Sequence, residues 1–112
     1  MPTKGDVFWV DFPAGIGSEQ GGRRPSVIIQ NDRGNASSPT TVVAIISAAP
    51  LPRVYPFTVR LAGGEANLSR SCYINCSQIF TVDRVRLEDY VGTVSEDRMQ
   101  QVEAALRYEF DL

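Results

Sequence analysis

The stretch of this chain that decides its fold reads Gly17-Ser18-Glu19-Gln20-Gly21-Gly22-Arg23-Arg24-Pro25. It is polar and rich in glycine, and apolar runs at residues 7–12 and 27–29 flank it. Glycines let the backbone turn sharply and approach a ligand closely, and paired guanidinium groups suit phosphate oxygens. The stretch therefore predicts a loop between two strands that is suited to an anion. The alternative is a solvated hairpin loop whose arginines bind nothing, because arginine pairs are common on loops.

Short apolar segments separated by glycine and proline turns predict a mainly β fold. The predicted strands are residues 7–12, 25–30, 41–47, 57–61, 72–77 with 79–82 as a continuation or bend, and 90–94. The first loop is predicted over residues 13–24, and a turn at Gly63-Gly64. Residues 31–39 are rich in Asn, Asp, Gly, Ser and Pro, so a further loop is predicted there.

Two helical elements are predicted in the last third of the chain. Asp83 is suited to cap a short helical turn that ends at Leu87. Ser95 is suited to cap a longer helix, in which Met99, Val102, Leu106 and Phe110 recur at helical spacing as a core or dimer contact. Many short strands followed by one terminal helix predict a small, strongly bent antiparallel sheet or barrel.

The composition bounds the class of protein. A chain of 112 residues is long enough for one domain, residues 1–112, and too short for two. The net charge is −2, but residues 19–70 hold six arginines and three acidic residues, whereas residues 83–112 hold eight acidic residues and four arginines. This distribution predicts a basic face on an acidic protein, unless the segregation is chance.

Cellular location is predicted from the absence of two signals. No apolar run reaches the roughly 20 residues of a membrane helix, and residues 1–6 lack the apolar core of a signal peptide. We therefore expect no membrane contact and a cytoplasmic location.

Cys72 and Cys76 lie four residues apart on a predicted strand, about 13 Å from each other, which is too far for a disulfide. Both are predicted to be small core residues in a reducing compartment.

The residue types present restrict the chemistry. The chain has no histidine, which excludes two-histidine ribonuclease mechanisms and a Ser-His-Asp triad. Carboxylates do not cluster at metal-ligand spacing, so we predict neither a metal nor another cofactor. RNA cleavage remains accessible, because the 2′-hydroxyl is a nucleophile within the substrate and the protein has only to align it and stabilise charge.

A set of short motifs runs along nearly the whole chain in a recognisable order. They are Gly5-Asp6-Val7, Val10-Asp11-Phe12, residues 17–22, Arg24-Pro25, Gln30-Asn31-Asp32, Gly34-Asn35, Ser38-Pro39-Thr40, Tyr55-Pro56-Phe57, Gln78-Ile79, Thr81 and Asp83. In this order and spacing the chain resembles the MazF/PemK/Kid family of toxin–antitoxin ribonucleases. The resemblance implies an SH3-like barrel with helices, assembled as a homodimer. It also implies metal- and ribosome-independent cleavage of single-stranded RNA at a short motif, giving 2′,3′-cyclic phosphate and 5′-hydroxyl ends. The implied partner is a cognate, MazE-like acidic antitoxin.

The resemblance implies roles for particular residues. Arg24 stands at the family's catalytic arginine, Ser47 where the family usually has a catalytic threonine, and Glu19 at the family's loop glutamate. We assign Arg24 an electrostatic role. Glu19 is a candidate for the general base, and the identity of the base stays open. The bland alternative for Ser47 is a strand-end hydroxyl bonded to the backbone. The RNA-binding residues implied are Ser18, Gln20, Arg23, Asn31, Gln78 and Phe80.

Two positions depart from the family pattern. Many relatives carry an acidic residue before Gln78 and a basic residue after Ile79, where this chain has Ser77 and Phe80. A lost basic residue weakens a phosphate contact, whereas an aromatic ring can stack on a base. The family's sequence motif for cleavage therefore does not transfer to this chain.

Two other classes of function share the predicted fold class. A CcdB-like toxin would poison gyrase by binding it without cleaving RNA, although CcdB-type chains lack the arginine-bearing stretch. A non-catalytic SH3-like adaptor would need an exposed aromatic groove for Pro-rich peptides, and Trp9 lies inside a predicted strand.

Overall fold

The computed structural model describes residues 2–13, 15, 21–48 and 53–112. Within these residues it has six β-strands and two α-helices. The strands are β1 (Asp6–Phe12), β2 (Gly22–Ile28), β3 (Thr40–Ala48), β4 (Thr58–Leu61), β5 (Cys72–Asp83) and β6 (Glu88–Thr93), and the helices are α1 (Asp32–Ser37) and α2 (Glu96–Phe110). Single 3-10 turns lie at Glu65–Asn67 and Arg84–Arg86.

The six strands form one antiparallel sheet in the order β4-β5-β3-β2-β1-β6. The sheet curls so that the 3-10 turn after β4 meets β6, where the Asn67 side-chain amide donates to the Val91 carbonyl at 3.1 Å. Gly92 permits this approach, because a Cβ there would lie 2.4 Å from the Ala66 carbonyl oxygen. A small, mainly β, barrel-like sheet with a C-terminal helix was predicted, and this prediction is confirmed.

Each face of the sheet has its own apolar core, as the alternation of side chains along a strand requires. One core lies between α2 and the sheet, and it joins Met99, Val102 and Ala105 of the helix to residues such as Val27 and Ile74. The other lies on the opposite face, and its buried members are Val10, Phe12, Ile28, Val43, Ile45 and Val82. Ser26 and Ser47 also lie on that second face, so polar groups are embedded at its margin.

Helix α2 starts and packs as the sequence predicts. The Ser95 hydroxyl accepts from the Arg98 amide at 3.2 Å, which satisfies a donor of the first turn. Arg98 reaches back to Glu65 with two hydrogen bonds of 3.0 Å. Of the predicted apolar stripe, Met99 and Val102 are buried and Leu106 is half-buried, whereas Phe110 is exposed.

The loop predicted over residues 31–39 is wrong in part, because it contains helix α1. The Asn31 side chain caps this helix by accepting from the Gly34 amide at 2.8 Å. Asn35 is buried, and its amide group bonds the Gln30 carbonyl and the Thr41 hydroxyl. Side-chain hydrogen bonds from Asn thus stabilise one turn and a half of helix in a composition that is typical of loops.

The strand boundaries differ most at β2. The first loop was predicted to extend to residue 24, but β2 already begins at Gly22 and pairs with β1 as far as Phe12. Pro25 therefore lies within the strand, opposite Trp9, and not at its entry. The helical turn after Asp83 is confirmed, with the Asp83 carboxylate accepting from the Val85 amide.

Cys72 and Cys76 are free and buried, as predicted. Among the described helices, none is both long enough and apolar enough to span a membrane.

Candidate active site

A cavity of about 290 Å³ opens where β2 and β3 separate. Pairing between these strands ends at Ser26 and Ile45, although β2 continues along β1 to Gly22 and β3 continues along β5 to Ala48. The described residues that line the cavity are Trp9, Arg23, Arg24, Pro25, Ile46, Ser47, Ala48, Leu68, Ser69, Arg70, Ser71 and Cys72. Pro25 is next to Ser26, the last β2 residue that pairs with β3, and its lack of an N–H prevents it from extending the ladder.

Arg24 and Ser47 line this cavity from opposite strands. Both lie two residues beyond the last pair of the β2–β3 ladder, Ser26 and Ile45, so they occupy matching positions across the gap. The structure therefore brings together two of the three residues to which the sequence assigned catalytic roles.

Arg24 is half-buried, and a hydrogen bond to the residue before β2 holds its guanidinium group. The Nε–H donates to the Gly21 carbonyl at 2.9 Å. Gly21 precedes Gly22, whose φ of 88° lies in the left-handed region that glycine tolerates. Within the described ranges this contact uses only the Nε–H of Arg24, so the terminal Nη donors of the guanidinium are available to an oxyanion.

Arg23 lines the same cavity, but its charge is already compensated. Its guanidinium lies 4.6 Å from the centre of the Trp9 ring. It also forms ion pairs with Asp89 at 2.6 Å and Glu88 at 3.6 Å. These contacts tie the rim of the cavity to the start of β6 and reduce the positive charge that Arg23 presents to a ligand.

Ser47 is almost completely buried, with 6% of its surface exposed. It lies near the end of β3 and pairs with Tyr73 of β5. Burial restricts the positions that its hydroxyl can take, and that restriction suits a group that must hold a reacting atom.

The opposite wall of the cavity is the segment of residues 68–71, which the sequence analysis did not include in the site. Its backbone is held at Leu68, whose carbonyl accepts from the Gly64 amide at 2.6 Å and whose amide donates to Glu65 at 2.9 Å. Arg70, between two serines, adds a third arginine to the lining. An arginine flanked by serines just before a predicted strand was the available signal, although nothing local connects it to Arg24.

Three of the residues to which RNA binding was assigned lie outside the lining of this cavity. Asn31 caps α1, as described above. The ring of Phe80 packs against Phe12, with 4.8 Å between centroids. Gln78 lies in an irregularity of β5, where Ala44 pairs with Ile79 but the next residue, Ile45, pairs with Asn75. Such bulges redirect side chains and are frequent beside active sites.

The remaining predicted site residues, Ser18, Glu19 and Gln20, lie outside the described residues. Their proposed roles are therefore those that the resemblance implies.

The thiols are chemically quiet. Burial raises the pKa of Cys72, which lines the cavity, and the negative charge of Glu65 adds to the effect. Burial and the charge of Glu109 raise the pKa of Cys76 to about 12. Both thiols therefore stay protonated near neutral pH and are poor nucleophiles. Over the ranges that the structure describes, His, Cys, Asp and Glu side chains form no group of three or more that could hold a metal ion.

The charge of the lining is cationic. Three arginines face the cavity, and none of the described lining residues is acidic. A partly apolar hollow with three guanidinium groups and a fixed hydroxyl is suited to a phosphate ester.

Comparison with known proteins agrees with this chemistry. The model of the family described as PemK-like, MazF-like toxin of type II toxin–antitoxin system matches residues 3–110. Endoribonuclease EndoA of Bacillus subtilis (strain 168) is 38% identical over 104 residues, which cover 93% of this chain and 90% of that protein.

Solved structures match the fold. An endoribonuclease in complex with its cognate antitoxin from Mycobacterial species matches with a TM-score of 0.83 and 23% identity, over 100% of this chain and 97% of that one. MazF from Deinococcus radiodurans matches with a TM-score of 0.80 and 22% identity, over 99% and 97% of the respective chains.

The curled sheet, the terminal helix and the basic cavity thus define a MazF-type toxin fold. The chain belongs to the PemK-like, MazF-like family of toxins of type II toxin–antitoxin systems. This membership does not favour the two alternatives, a gyrase-binding toxin and an SH3-like adaptor.

Proposed function

We propose that this endoribonuclease toxin cleaves single-stranded RNA at the cavity between β2 and β3, with the 2′-hydroxyl of the RNA as nucleophile. The observation that carries the proposal is the placement of Arg24 and Ser47 at matching positions across the gap, in a cavity whose described lining residues include no acid. The named activity of EndoA, the relative at 38% identity, supports the reaction class.

The reaction needs one bond to form and one to break. The 2′-oxygen attacks the adjacent phosphorus, the bond from phosphorus to the 5′-oxygen breaks, and a 2′,3′-cyclic phosphate remains. The 2′-hydroxyl gives up its proton and the departing 5′-oxygen gains one, so the products are a cyclic phosphate end and a 5′-hydroxyl end. Negative charge builds on the non-bridging oxygens between these two events.

Arg24 stabilises that charge through its free Nη donors, while its Nε–H holds the side chain to Gly21. Arginine stays protonated at all physiological pH values, so its role is electrostatic, with hydrogen-bond donation toward the departing oxygen. Preorganised donors of this kind contribute a factor of about 10²–10³ each.

Ser47 orients the substrate from the other side of the gap. Its hydroxyl can accept a hydrogen bond from the 2′-hydroxyl or donate one to a phosphoryl oxygen, and burial restricts its position. We assign the proton acceptor to Glu19, the single carboxylate of the stretch 17–25. This assignment rests on the family resemblance alone.

The proposed biological setting follows from the family. The toxin acts as a homodimer in the cytoplasm, independently of metal and of ribosomes, and cuts at a short sequence motif. One matched structure holds an endoribonuclease with its cognate antitoxin. For this chain we propose an acidic, MazE-like antitoxin segment that is disordered until it binds, and that competes with RNA over the loop around Arg24.

Competition with RNA tests the antitoxin proposal. Labelled RNA is bound to the Arg24→Ala variant, in which we expect cleavage to be about 10²–10³-fold slower, and an acidic peptide of the cognate antitoxin is added. We expect release of RNA at peptide saturation, with weaker peptide binding at higher salt. RNA that stays bound at saturation would contradict competition and would favour docking on the acidic C-terminal helix.

The reaction itself is tested with an RNA that wild-type protein cuts, in the presence of EDTA. The same RNA is prepared with a single 2′-deoxy nucleotide on the 5′ side of the cut. We expect the all-RNA strand to give 2′,3′-cyclic phosphate and 5′-hydroxyl ends, and the 2′-deoxy strand to bind without being cut. Cleavage of the 2′-deoxy strand at the same bond would rule out attack by the 2′-oxygen.

A further inference from the structure

We infer that Arg70 binds an RNA phosphate next to the one that is cleaved, and that it does so in place of Arg23. The inference rests on the proposed function and adds a binding residue to the same cavity.

The three arginines of the cavity differ in their partners. Arg23 is stacked on Trp9 and paired with two carboxylates, so an RNA phosphate would have to displace contacts that already balance its charge. Arg70 is exposed at the cavity wall. The ion pairs found within the described ranges are Lys4–Glu103, Arg23–Glu88, Arg23–Asp89 and Arg98–Glu65. Arg70 takes part in none of them, so its charge at the cavity wall is not paired with a carboxylate of these ranges.

The position of Arg70 separates it from Arg24 by the width of β3. It lies two residues before Cys72, the residue of β5 that pairs with Ala48, and Ala48 follows Ser47. Arg24 stands on the β2 side of Ser47 and the segment of residues 68–71 stands on the β5 side. Two strand spacings amount to roughly 10 Å. Because a ribose separates consecutive phosphates of an RNA strand, two arginines on opposite walls are suited to one phosphate each.

The wall that carries Arg70 is built to hold its position. Both backbone groups of Leu68 are bonded, to Gly64 and to Glu65. The Leu68 side chain packs against the core beneath α2. Glu65 is in turn held by Arg98 at 3.0 Å. A fixed backbone reduces the ordering cost that a phosphate contact has to overcome.

The cavity is also lined by a fluorescent side chain, which can be used to follow ligand binding. Trp9 is the only tryptophan of the chain and lines the cavity. Its fluorescence therefore follows ligand binding without a label on the protein, in any variant that keeps Trp9.

The test measures binding of a labelled single-stranded RNA to proteins that also carry Arg24→Ala, so that the RNA stays intact. Arg70→Gln is compared with Arg70→Lys, which keeps the charge, and with Arg33→Gln, which removes an exposed arginine of α1 outside the cavity lining. Affinity is measured over a series of salt concentrations. In the background with Arg24 intact, KM and kcat are measured with the same RNA.

We expect Arg70→Gln to weaken binding roughly tenfold or more. It should reduce the slope of log affinity against log salt by about 0.7, the value for one phosphate contact on a single strand. KM should rise while kcat stays within about twofold, because the contact exists before and during the reaction. Arg70→Lys should restore the slope, and Arg33→Gln should leave both affinity and slope at the parent values.

Two results overturn the inference, and they differ in what else they overturn. If the Arg24→Ala parent binds RNA and the wild-type protein cleaves it, but Arg70→Gln leaves affinity, slope and KM unchanged, the inference fails and the proposed function stands. If the Arg24→Ala parent does not bind single-stranded RNA and the wild-type protein does not cleave it, the proposed function fails and the role of Arg70 fails with it.

Discussion

Arg24 and Ser47 occupy matching positions on β2 and β3, two residues beyond the last paired residues of the two strands. At that point the sheet opens, and both residues line the cavity. A sheet that stays paired on its outer sides while it parts in the middle places a cation and a hydroxyl on two rigid walls. Sites on strands are held more accurately than sites on loops, so this arrangement favours a reaction that depends on alignment.

The hydroxyl of Ser47 is predicted to matter more than its size. Ser47→Ala should reduce the single-turnover cleavage rate strongly, because it removes the group that orients the substrate. Ser47→Thr should retain or raise the rate, since threonine keeps the hydroxyl and is stiffer about χ1. Circular dichroism checks that both variants fold. If Ser47→Ala cleaves at the wild-type rate, the hydroxyl takes no part in the reaction and serves only as a hydrogen-bonding group for the backbone at the strand end.

Replacement of Gly92 is predicted to destabilise the fold without touching the cavity. A Cβ at this position would lie 2.4 Å from the backbone oxygen of Ala66, so the 3-10 turn or β6 has to move. Gly92 does not have a positive φ, so the effect comes from space and not from backbone conformation. We expect Gly92→Ala to lower the free energy of unfolding by about 1–3 kcal/mol. Urea unfolding measures it, and a midpoint within error of wild type would show that the contact relaxes freely.

Stability at acidic pH is predicted to depend on Glu65. Its pKa is lowered by the hydrogen bonds from Arg98 and then by the amide of Ala62. A carboxylate with a lowered pKa in the folded state stabilises the fold above its ordinary pKa of 4.5, and this contribution is lost as the pH falls through the lowered value. Glu65→Gln should therefore be less stable than wild type at pH 7, and the difference should shrink below about pH 4.5.

Denaturant unfolding at a series of pH values measures this difference. Glu109→Gln removes an exposed carboxylate of α2 that forms none of the ion pairs within the described ranges, and it serves as the control for loss of negative charge. A stability difference between wild type and Glu65→Gln that stays constant from pH 7 to pH 3 would contradict the linkage.

The features that the sequence predicted depend on local patterns. Apolar runs rich in β-branched residues predicted β1 and β3, alternation predicted β4 and the first half of β5, and the cap at Ser95 predicted the start of α2. Helix α1 was missed because its stability comes from Asn35, which bonds Gln30, two residues after the end of β2, and Thr41 of β3. Local composition does not reveal that a side chain joins the chain segments before and after its helix.

The same reason explains what was missed in the site. The motif resemblance supplied Arg24 and Ser47, but the wall that carries Arg70 reaches the cavity only because the chain returns through β5 to pair with β3. Glu88 and Asp89, which balance the charge of Arg23, lie 65 and 66 positions after it in the sequence. Contacts at such separations follow from topology, which the periodicity of a single strand does not determine.

The central claim is that Arg24 stabilises charge on the phosphate that is cleaved, and the most direct test is the single-turnover rate of RNA cleavage by Arg24→Ala. Arg33→Ala, on the exposed face of α1, is the matched control. We expect the cleavage rate of Arg24→Ala to be lower by a factor of about 10²–10³ with unchanged circular dichroism, and that of Arg33→Ala to equal the wild-type rate. Wild-type cleavage by a folded Arg24→Ala variant would contradict this role and would remove Arg24 from the mechanism.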